Sequence, residues 1–339
     1  RSEGAAYVVL IAHLGDGIVP ACKNALDIIH STHGIDAVLD GHYHTVINDS
    51  LVSNAEGKMV HYTSTGTKFQ KMGVLTIDKT GNIGTRLVET STYNNVDADV
   101  QSFVDQVNKE VLAAGDYVIG HSDFELSIND ADGNRIVRNQ ESALGNFIAD
   151  SYQSLFDADI ALVNGGGLRS SLKAGDITYN NVLDVTPFSN NLCSATITGE
   201  QLLDGLESSY SLLPYESGSF MHIGGMRLNI DLSVQAEFVK EDGIFVAVAD
   251  GSPRRVSNLE IYNKATGQYE PVEPSRTYRI ASSTFILRDL GCSGAFRYAK
   301  PDEDLGITDV EATVAYLRDK LHGNIPSNYS STEGRIVIH

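Results

Sequence analysis

The chain has 339 residues and a formal net charge of −19, with 42% hydrophobic and 20% charged residues. This length allows two hydrophobic cores, and the composition is typical of a globular protein rather than a disordered or fibrous one. The charge excludes nucleic-acid polymers and anionic membrane surfaces as partners, because no basic stripe offsets the repulsion. A phosphorylated small molecule is compatible with it if metal ions or a few arginines set the local field.

Two further classes of protein are disfavoured by the residue pattern. No apolar run approaches the roughly 18 residues of a transmembrane segment, so we expect none. The three cysteines are Cys22, Cys193 and Cys292, an odd and widely spaced set. They predict neither a disulfide framework nor a zinc-finger pattern.

The first elements along the chain predict a strand–helix–strand unit. Tyr7–Ala12 is a continuous apolar run, as expected of a strand buried on both faces. A helix at about Pro20–Ser31 and a strand at Ala37–Leu39 follow, and this crossover implies parallel pairing. Further strands are predicted at Met59–Ser64 and Gly73–Ile77.

Three histidines follow the two parallel strands. His13 comes directly after the first strand, and His42 and His44 come after the second, in Asp40-Gly41-His42-Tyr43-His44. Parallel neighbours end at the same sheet edge, where ligand sites gather. Neutral imidazoles suit zinc, manganese, iron or cobalt, so the pattern predicts part of a metal site. The alternative is three polar residues on loops.

The predicted metal site is incomplete within this chain. Two divalent cations need bridging carboxylates, and the nearby acids Asp16 and Asp40 lack an evident ligand spacing. Residues 9–15, 40–44 and 62–73 resemble the last third of a calcineurin-like metallophosphoesterase domain. The resemblance implies that His13 and His42 bind one metal ion and His44 the other. It also implies that the catalytic residues lie before Arg1, so no catalytic residue is expected in this chain.

A helix is expected between two domains. The segment Asp97–Ala113 is predicted to be helical, and Gly115 is predicted to end the helix. One face of this helix is an apolar stripe that consists of Val100, Phe103, Val104, Val107 and Val111. We therefore expect a metallophosphoesterase portion at residues 1–95, a linker helix at 96–116 and a second domain at 117–339.

The second domain alternates strands and helices. Leu144, Phe147, Ile148, Tyr152 and Leu155 share one helix face, and strands are predicted at Ile160–Val163 and Tyr278–Ala281. Thr198 with Gln201, and Thr308 with Glu311, are predicted capping boxes at helix starts, the first helix running to about Leu212.

A glycine-rich turn in this domain carries the most specific motif. Asn164-Gly165-Gly166-Gly167-Leu168-Arg169 follows a strand, and glycines there allow a close approach of the backbone to a ligand. Arg169 is suited to a phosphate or carboxylate. The segment resembles the nucleotide-binding signature of the 5′-nucleotidase family. Residues 141–146, 186–188 and 218–225 extend this resemblance over residues 117–339.

The resemblance implies a nucleotide site. The expected substrate-binding residues are Arg138, Asn164, Gly166, Gly167, Arg169, Phe188, Phe285 and Ser293. In the family, the two arginines reach the phosphates, the asparagine hydrogen-bonds the base and the two phenylalanines stack on it. Core packing is the alternative for each phenylalanine, and a solvated charge the alternative for Arg138. Ser293 stands near the position of a ribose-binding aspartate and is a weaker acceptor.

These expectations combine into one function. The fold class is α/β and α+β: a partial metallophosphoesterase sandwich, followed by an α+β 5′-nucleotidase C-terminal domain. The family resemblance implies hydrolysis of nucleotide phosphate esters with two divalent metal ions of the zinc, manganese, cobalt or iron type. The expected partners are a nucleotide or nucleoside and the missing N-terminal half of the metallophosphoesterase domain. An extracytoplasmic location, whether periplasmic, secreted or cell-surface, is also implied.

Alternatives to the 5′-nucleotidase reaction stay open. UDP-sugar hydrolysis and 2′,3′-cyclic-nucleotide phosphodiesterase/3′-nucleotidase activity are alternatives expected on the same fold. A nucleoside-binding module without chemistry is an alternative of another class. The chain by itself is expected to be inactive.

Overall fold

The computed structural model describes residues 1–16, 24–241, 244–288 and 294–339. Its contacts divide the chain into two units, Arg1–Asp105 and Gln106–His339. The division falls within a long helix, α2, at Ala98–Gly115. Within the described ranges, no helix is long and apolar enough to cross a bilayer.

The first unit contains a four-stranded sheet and a separate hairpin. Its elements are β1 Val9–Ile11, α1 Ala25–Ser31, β2 Ala37–Asp40, β3 Val46–Ser53, β4 Met59–Thr65, β5 Lys71–Ile77, β6 Ile83–Glu89 and α2 Ala98–Gly115. The sheet order is β1-β2-β4-β3, with β1, β2 and β4 parallel, and β5 pairs with β6. The predicted strand–helix–strand unit is therefore confirmed.

The prediction that the first strand is buried on both faces is wrong. Val9 is 39% exposed and Ile11 81% exposed, while Leu10, on the other side, packs against the core. That core consists of Ala25, Ile29, Val38, Val60 and Tyr62, with α1 on one face of the sheet. Side chains alternate between the two faces of a strand, so Val9 and Ile11 point to the face opposite this core and stay exposed there.

Local signals account for both helices of this unit. Asn24 caps α1 through a reciprocal capping box with Asp27; the predicted helix start at Pro20 lies outside the described residues. The part of the apolar stripe of α2 from Val100 to Val107 is exposed, with Val100 at 59% and Phe103 at 67%. Gly115 ends this helix, as predicted.

The second unit is built on two larger sheets. Its strands are β7 Val118–Ser122, β8 Ile160–Asn164, β9 Gly175–Thr178, β10 Asn191–Thr198, β11 Met221–Gly224, β12 Met226–Ile230, β13 Phe238–Glu241, β14 Ile244–Val248, β15 Val256–Asn263, β16 Gln268–Pro271, β17 Thr277–Ser283, β18 Lys300–Thr308 and β19 Ile336–Ile338. One sheet has the order β11-β8-β17-β10-β18 and the other β16-β15-β12-β19. Two-stranded pairs β7-β9 and β13-β14 complete the unit.

Among the described residues of this unit that follow α2, five α-helices pack with the strands. They are α3 Ala143–Phe156, α4 Tyr179–Val185, α5 Gly199–Ser209, α6 Thr284–Leu287 and α7 Asp309–Ala315. Both predicted capping boxes are present, at Thr198 and Thr308. The helix α5 ends at Ser209 rather than near Leu212, because Tyr210 leaves helical geometry and is itself fully buried. Cys193 is buried as a small apolar residue, whereas Cys22 and Cys292 lie outside the described residues.

Candidate functional site

Strand ends at one edge of the five-stranded sheet define the candidate site. The parallel neighbours β8 and β17 pair Ile160 with Ile280, so the chain after each strand leaves at the same edge. The antiparallel β10 begins there too, since Leu192 pairs with Ser283. The glycine turn, α6 and the loop at 186–190 are thereby placed together by the backbone.

The glycine turn is held by backbone hydrogen bonds from the segment before β11. The Gly165 N–H donates to Phe220 O at 2.7 Å, and the Gly166 N–H donates to Gly218 O at 3.0 Å. A Cβ on Gly165 would lie 1.9 Å from Val137 O, and one on Gly166 would lie 2.9 Å from Gly218 O. These two glycines are therefore required by close packing of the protein backbone on itself.

Asn164 precedes this turn, and its side chain helps to hold the turn in place. Its Nδ2 donates to Gly218 O at 3.0 Å. Its Oδ1 lies beside Gly167, 3.3 Å from the position of a Cβ there. The carbonyl oxygen of the side chain is thus directed along the turn, where it is suited to accept a hydrogen bond from a ligand.

The backbone of Arg138 is fixed from two sides. The Ser217 N–H donates to Arg138 O at 2.9 Å, and His222 Nε2 donates to the neighbouring Val137 O at 2.9 Å. His222 is fully buried, and burial lowers the pKa of its imidazole to about 4, so the ring is neutral at physiological pH. A Cβ on Gly145 would lie 2.1 Å from this ring, so the glycine makes room for it.

Arg169 links the glycine turn to an aromatic loop. Its N–H donates to Val185 O at 2.9 Å, its Nη1 donates to Gly166 O at 3.3 Å, and its Cζ lies 5.7 Å from the centre of the Phe188 ring. This is cation–π geometry. Burial lowers the pKa of the Arg169 guanidinium, and the positive charge of Arg135 adds to that effect, but an arginine remains protonated.

Both predicted aromatic residues are on the surface. Phe188 is 59% exposed and Phe285 38% exposed, so the core-packing alternative is wrong for both. Exposed aromatic rings suit stacking on a planar ligand, and Phe188 also lies beside Arg169. Ser293, the predicted ribose contact, lies outside the described residues.

Sequence reasoning assigned no role to two features of this site. His222 stands within a quoted motif, but its contact with Val137 spans 85 residues of sequence. Arg135 bonds Glu216 through Nε at 2.9 Å and lies close enough to Arg169 to affect it.

Two of the three histidines predicted as metal ligands lie side by side in the first unit. The rings of His13 and His42 are 5.2 Å apart in an edge-to-face arrangement. His42 and His44 both have left-handed backbone angles, with φ of 83° and 62°. Among the described residues, no three or more histidine, cysteine, aspartate or glutamate side chains form a group suited to a metal ion.

Asp40 has a structural role beside these histidines. It accepts hydrogen bonds from Leu14 N at 2.9 Å and from Tyr62 Oη at 2.9 Å. Burial by itself would raise the pKa of the Asp40 carboxyl, but hydrogen bonds led by that from Leu14 outweigh it and lower the pKa. The carboxylate joins the loop after β1 to β2 and β4 within this unit.

Comparison with known proteins identifies the second unit. Residues 118–298 match the family model described as 5′-nucleotidase, C-terminal domain. The trifunctional nucleotide phosphoesterase protein YfkN of Bacillus subtilis is 28% identical over 97% of this chain and 21% of its own length. A 5′-nucleotidase of Vibrio cholerae is 32% identical over 65% of this chain and 34% of its own length.

A solved structure resembles the chain across both units. The 5′-nucleotidase precursor from Thermus thermophilus has a TM-score of 0.71 at 25% identity, covering 99% of this chain and 64% of that protein. The chain thus spans about a fifth to a third of the length of the two curated relatives. The similarity confirms the predicted fold class, a partial metallophosphoesterase sandwich followed by an α+β domain. The chain therefore belongs to the 5′-nucleotidase family, and its second unit contains the C-terminal domain of that family.

Proposed function

We propose that this chain binds a nucleoside 5′-monophosphate for a 5′-nucleotidase reaction, the hydrolysis of nucleotide phosphate esters to nucleoside and phosphate. The observation that carries the proposal is the position of Arg169, which contacts the glycine turn and lies over the exposed Phe188 ring. This places a cation next to an aromatic platform, and a nucleotide presents an anion next to a planar base. By resemblance to the family, we also propose an extracytoplasmic location.

The roles of the binding residues follow from their chemistry. Arg138 and Arg169 would bind the phosphate by charge-assisted hydrogen bonds. Phe188 and Phe285 would stack on the base, which contributes on the order of 1–3 kcal/mol per base. Asn164 Oδ1 would accept a hydrogen bond from the base, since its Nδ2 is already bonded to Gly218 O. Gly166 and Gly167 would keep the turn narrow enough for the ligand, and Ser293 would contact the ribose.

Two divalent metal ions of the zinc, manganese, cobalt or iron type would complete the reaction centre, polarising the phosphate ester and lowering the pKa of an attacking water. We propose His13 and His42 as ligands of one ion and His44 as a ligand of the other. The described residues do not by themselves fit two ions, because among them no three or more histidine, cysteine, aspartate or glutamate side chains form a metal-binding group.

The chain alone is expected to bind nucleotide without hydrolysing it. The proposed reaction uses two metal ions, and two ions need more ligands than the adjacent rings of His13 and His42 supply. Phosphate release from AMP, measured with the pure 339-residue chain in the presence of manganese or zinc, should not exceed the rate without protein. Sustained hydrolysis abolished by a chelator would contradict this expectation.

Binding is tested by thermal shift and calorimetry on the same chain. Adenosine and AMP should raise its melting temperature, and Arg169→Ala should reduce the shift caused by AMP to that caused by adenosine at most, because the phosphate loses a half-buried cation. Arg227→Ala is the matched control, since Arg227 also lies over an aromatic ring, that of Tyr269 at 4.6 Å, but belongs to the other sheet. Equal stabilisation of the wild type and Arg169→Ala by AMP would mean that the site is wrongly placed.

A further inference from the structure

A buried carboxylate lies behind the aromatic loop of the candidate site. Asp309 is only 2% exposed and forms the first residue of α7, directly after the capping residue Thr308. Burying a carboxylate is costly unless hydrogen bonds compensate, so its partners indicate what it holds in place.

Asp309 forms hydrogen bonds with Asn190, which lies on the same loop as Phe188. The Asp309 N–H donates to Asn190 O at 2.9 Å. In return, Asp309 Oδ2 accepts from the Asn190 N–H at 3.2 Å and from Asn190 Nδ2 at 3.4 Å. The other oxygen, Oδ1, accepts from the Val310 N–H at 2.8 Å. The carboxylate therefore connects the start of α7 to the loop by a reciprocal pairing.

The loop between α4 and β10 has a conformation that needs such support. Ser189 has a left-handed φ of 48°, which is unfavourable for a residue with a side chain. The loop is anchored on one side by the Thr186 N–H, which donates to Val182 O at 3.2 Å, and on the other by Asn190. Phe188 lies between these anchors and is 59% exposed, so little packing of its own ring fixes the loop.

We propose that Asp309 is a positioning residue that fixes the Phe188 loop in the conformation needed to stack on the base of the nucleotide. The inference rests on the proposed function, because that function supplies the nucleotide base on which Phe188 stacks. Asp309 does not touch the ligand. It acts by ordering the loop before binding, so that less conformational entropy is lost when the base arrives.

A double-mutant cycle tests whether Asp309 acts through Phe188. Adenosine affinity is measured by calorimetry for the wild type, Asp309→Asn, Phe188→Ala and the double variant. Asp309→Asn keeps the shape but replaces one oxygen with an amide nitrogen that cannot accept from Asn190. We expect it to weaken adenosine binding about three- to tenfold, and Phe188→Ala to weaken it about tenfold, as the loss of one stacked base predicts. In the Phe188→Ala background, Asp309→Asn should have no further effect.

Each result of this cycle bears on the proposal. Unchanged affinity in Asp309→Asn, or independent effects that multiply in the double variant, would overturn it while leaving the proposed function intact. Unchanged affinity in Phe188→Ala would overturn the proposed pocket and this inference together. If Asp309→Asn does not fold by circular dichroism, Asn190→Ala replaces it. That variant removes the Nδ2 donor from the loop, and a roughly two- to threefold loss that disappears in the Phe188→Ala background is expected.

Discussion

His222 and Asp309 are buried ionisable side chains whose protonation affects stability in opposite directions. Burial lowers the pKa of His222 to about 4 from 6.5, so its contribution is present above pH 6.5 and is lost as pH falls towards 4. Burial raises the pKa of Asp309 to about 6 from 3.8, so its contribution is present below pH 4 and is lost as pH rises through 6. At about 1.4 kcal/mol per tenfold change in proton affinity, each is worth about 3 kcal/mol.

Because the two effects fall in one pH window with opposite signs, they nearly cancel in the wild type. Removing one should reveal the other in urea unfolding at about pH 4 to 6.5. Relative to the wild type, Asp309→Asn should lose about 3 kcal/mol of unfolding free energy as pH falls across this window. His222→Gln, which keeps an N–H donor for Val137 O, should gain about the same amount. Unfolding free energies of both variants that run parallel to the wild-type curve would contradict this account.

At the scale of the element, Gly165 and Gly167 of the glycine turn differ in the space available for an added Cβ. Gly165→Ala would place a Cβ 1.9 Å from Val137 O, a backbone atom that cannot move without displacing Arg138. Gly167→Ala meets only the side chain of Asn164, at 3.3 Å. We expect Gly165→Ala to lower the free energy of unfolding by about 2–4 kcal/mol and to weaken AMP binding, as overpacking does.

Gly167→Ala is the control for this turn. It should cost under about 1 kcal/mol, because the neighbouring side chain is able to shift. Chemical denaturation gives the stability of both variants, and calorimetry gives the AMP affinity. If the two variants lost equal AMP affinity, glycine would be needed here for the approach of the ligand, as the sequence suggests, and not for packing of the turn.

The same turn shows how far sequence reasoning reaches. The motif located Asn164 and Arg169, and capping boxes located the starts of α5 and α7, because these signals lie within a few residues of each other. The exposure of β1 was missed, since burial depends on what covers a strand. The contact of Asn190 with Asp309 spans 119 residues, a separation at which no local pattern is informative.

At the scale of the whole molecule, the two units have separate hydrophobic cores. The core of the first unit has five buried residues, from Ala25 to Tyr62. The second unit has two much larger clusters of buried residues, both drawn from positions 119–336. Within the described ranges, none of these clusters contains residues of both units. Since stability grows with the apolar surface that a core buries, the first unit should be the less stable one.

Calorimetric unfolding should therefore show two transitions, the first from the unit with the smaller core. Adenosine at about 100 times its dissociation constant stabilises the protein that binds it by about 2.7 kcal/mol. This should raise the second transition by roughly 5–10 °C, given about 2–4 °C per kcal/mol for a unit of this size. The first transition should not move, because the residues proposed to bind adenosine all lie within Gln106–His339. Phe188→Ala should reduce the shift of the second transition. If adenosine instead raises the first transition by as much as the second, the base is bound by residues of both units, and the second unit alone does not explain recognition.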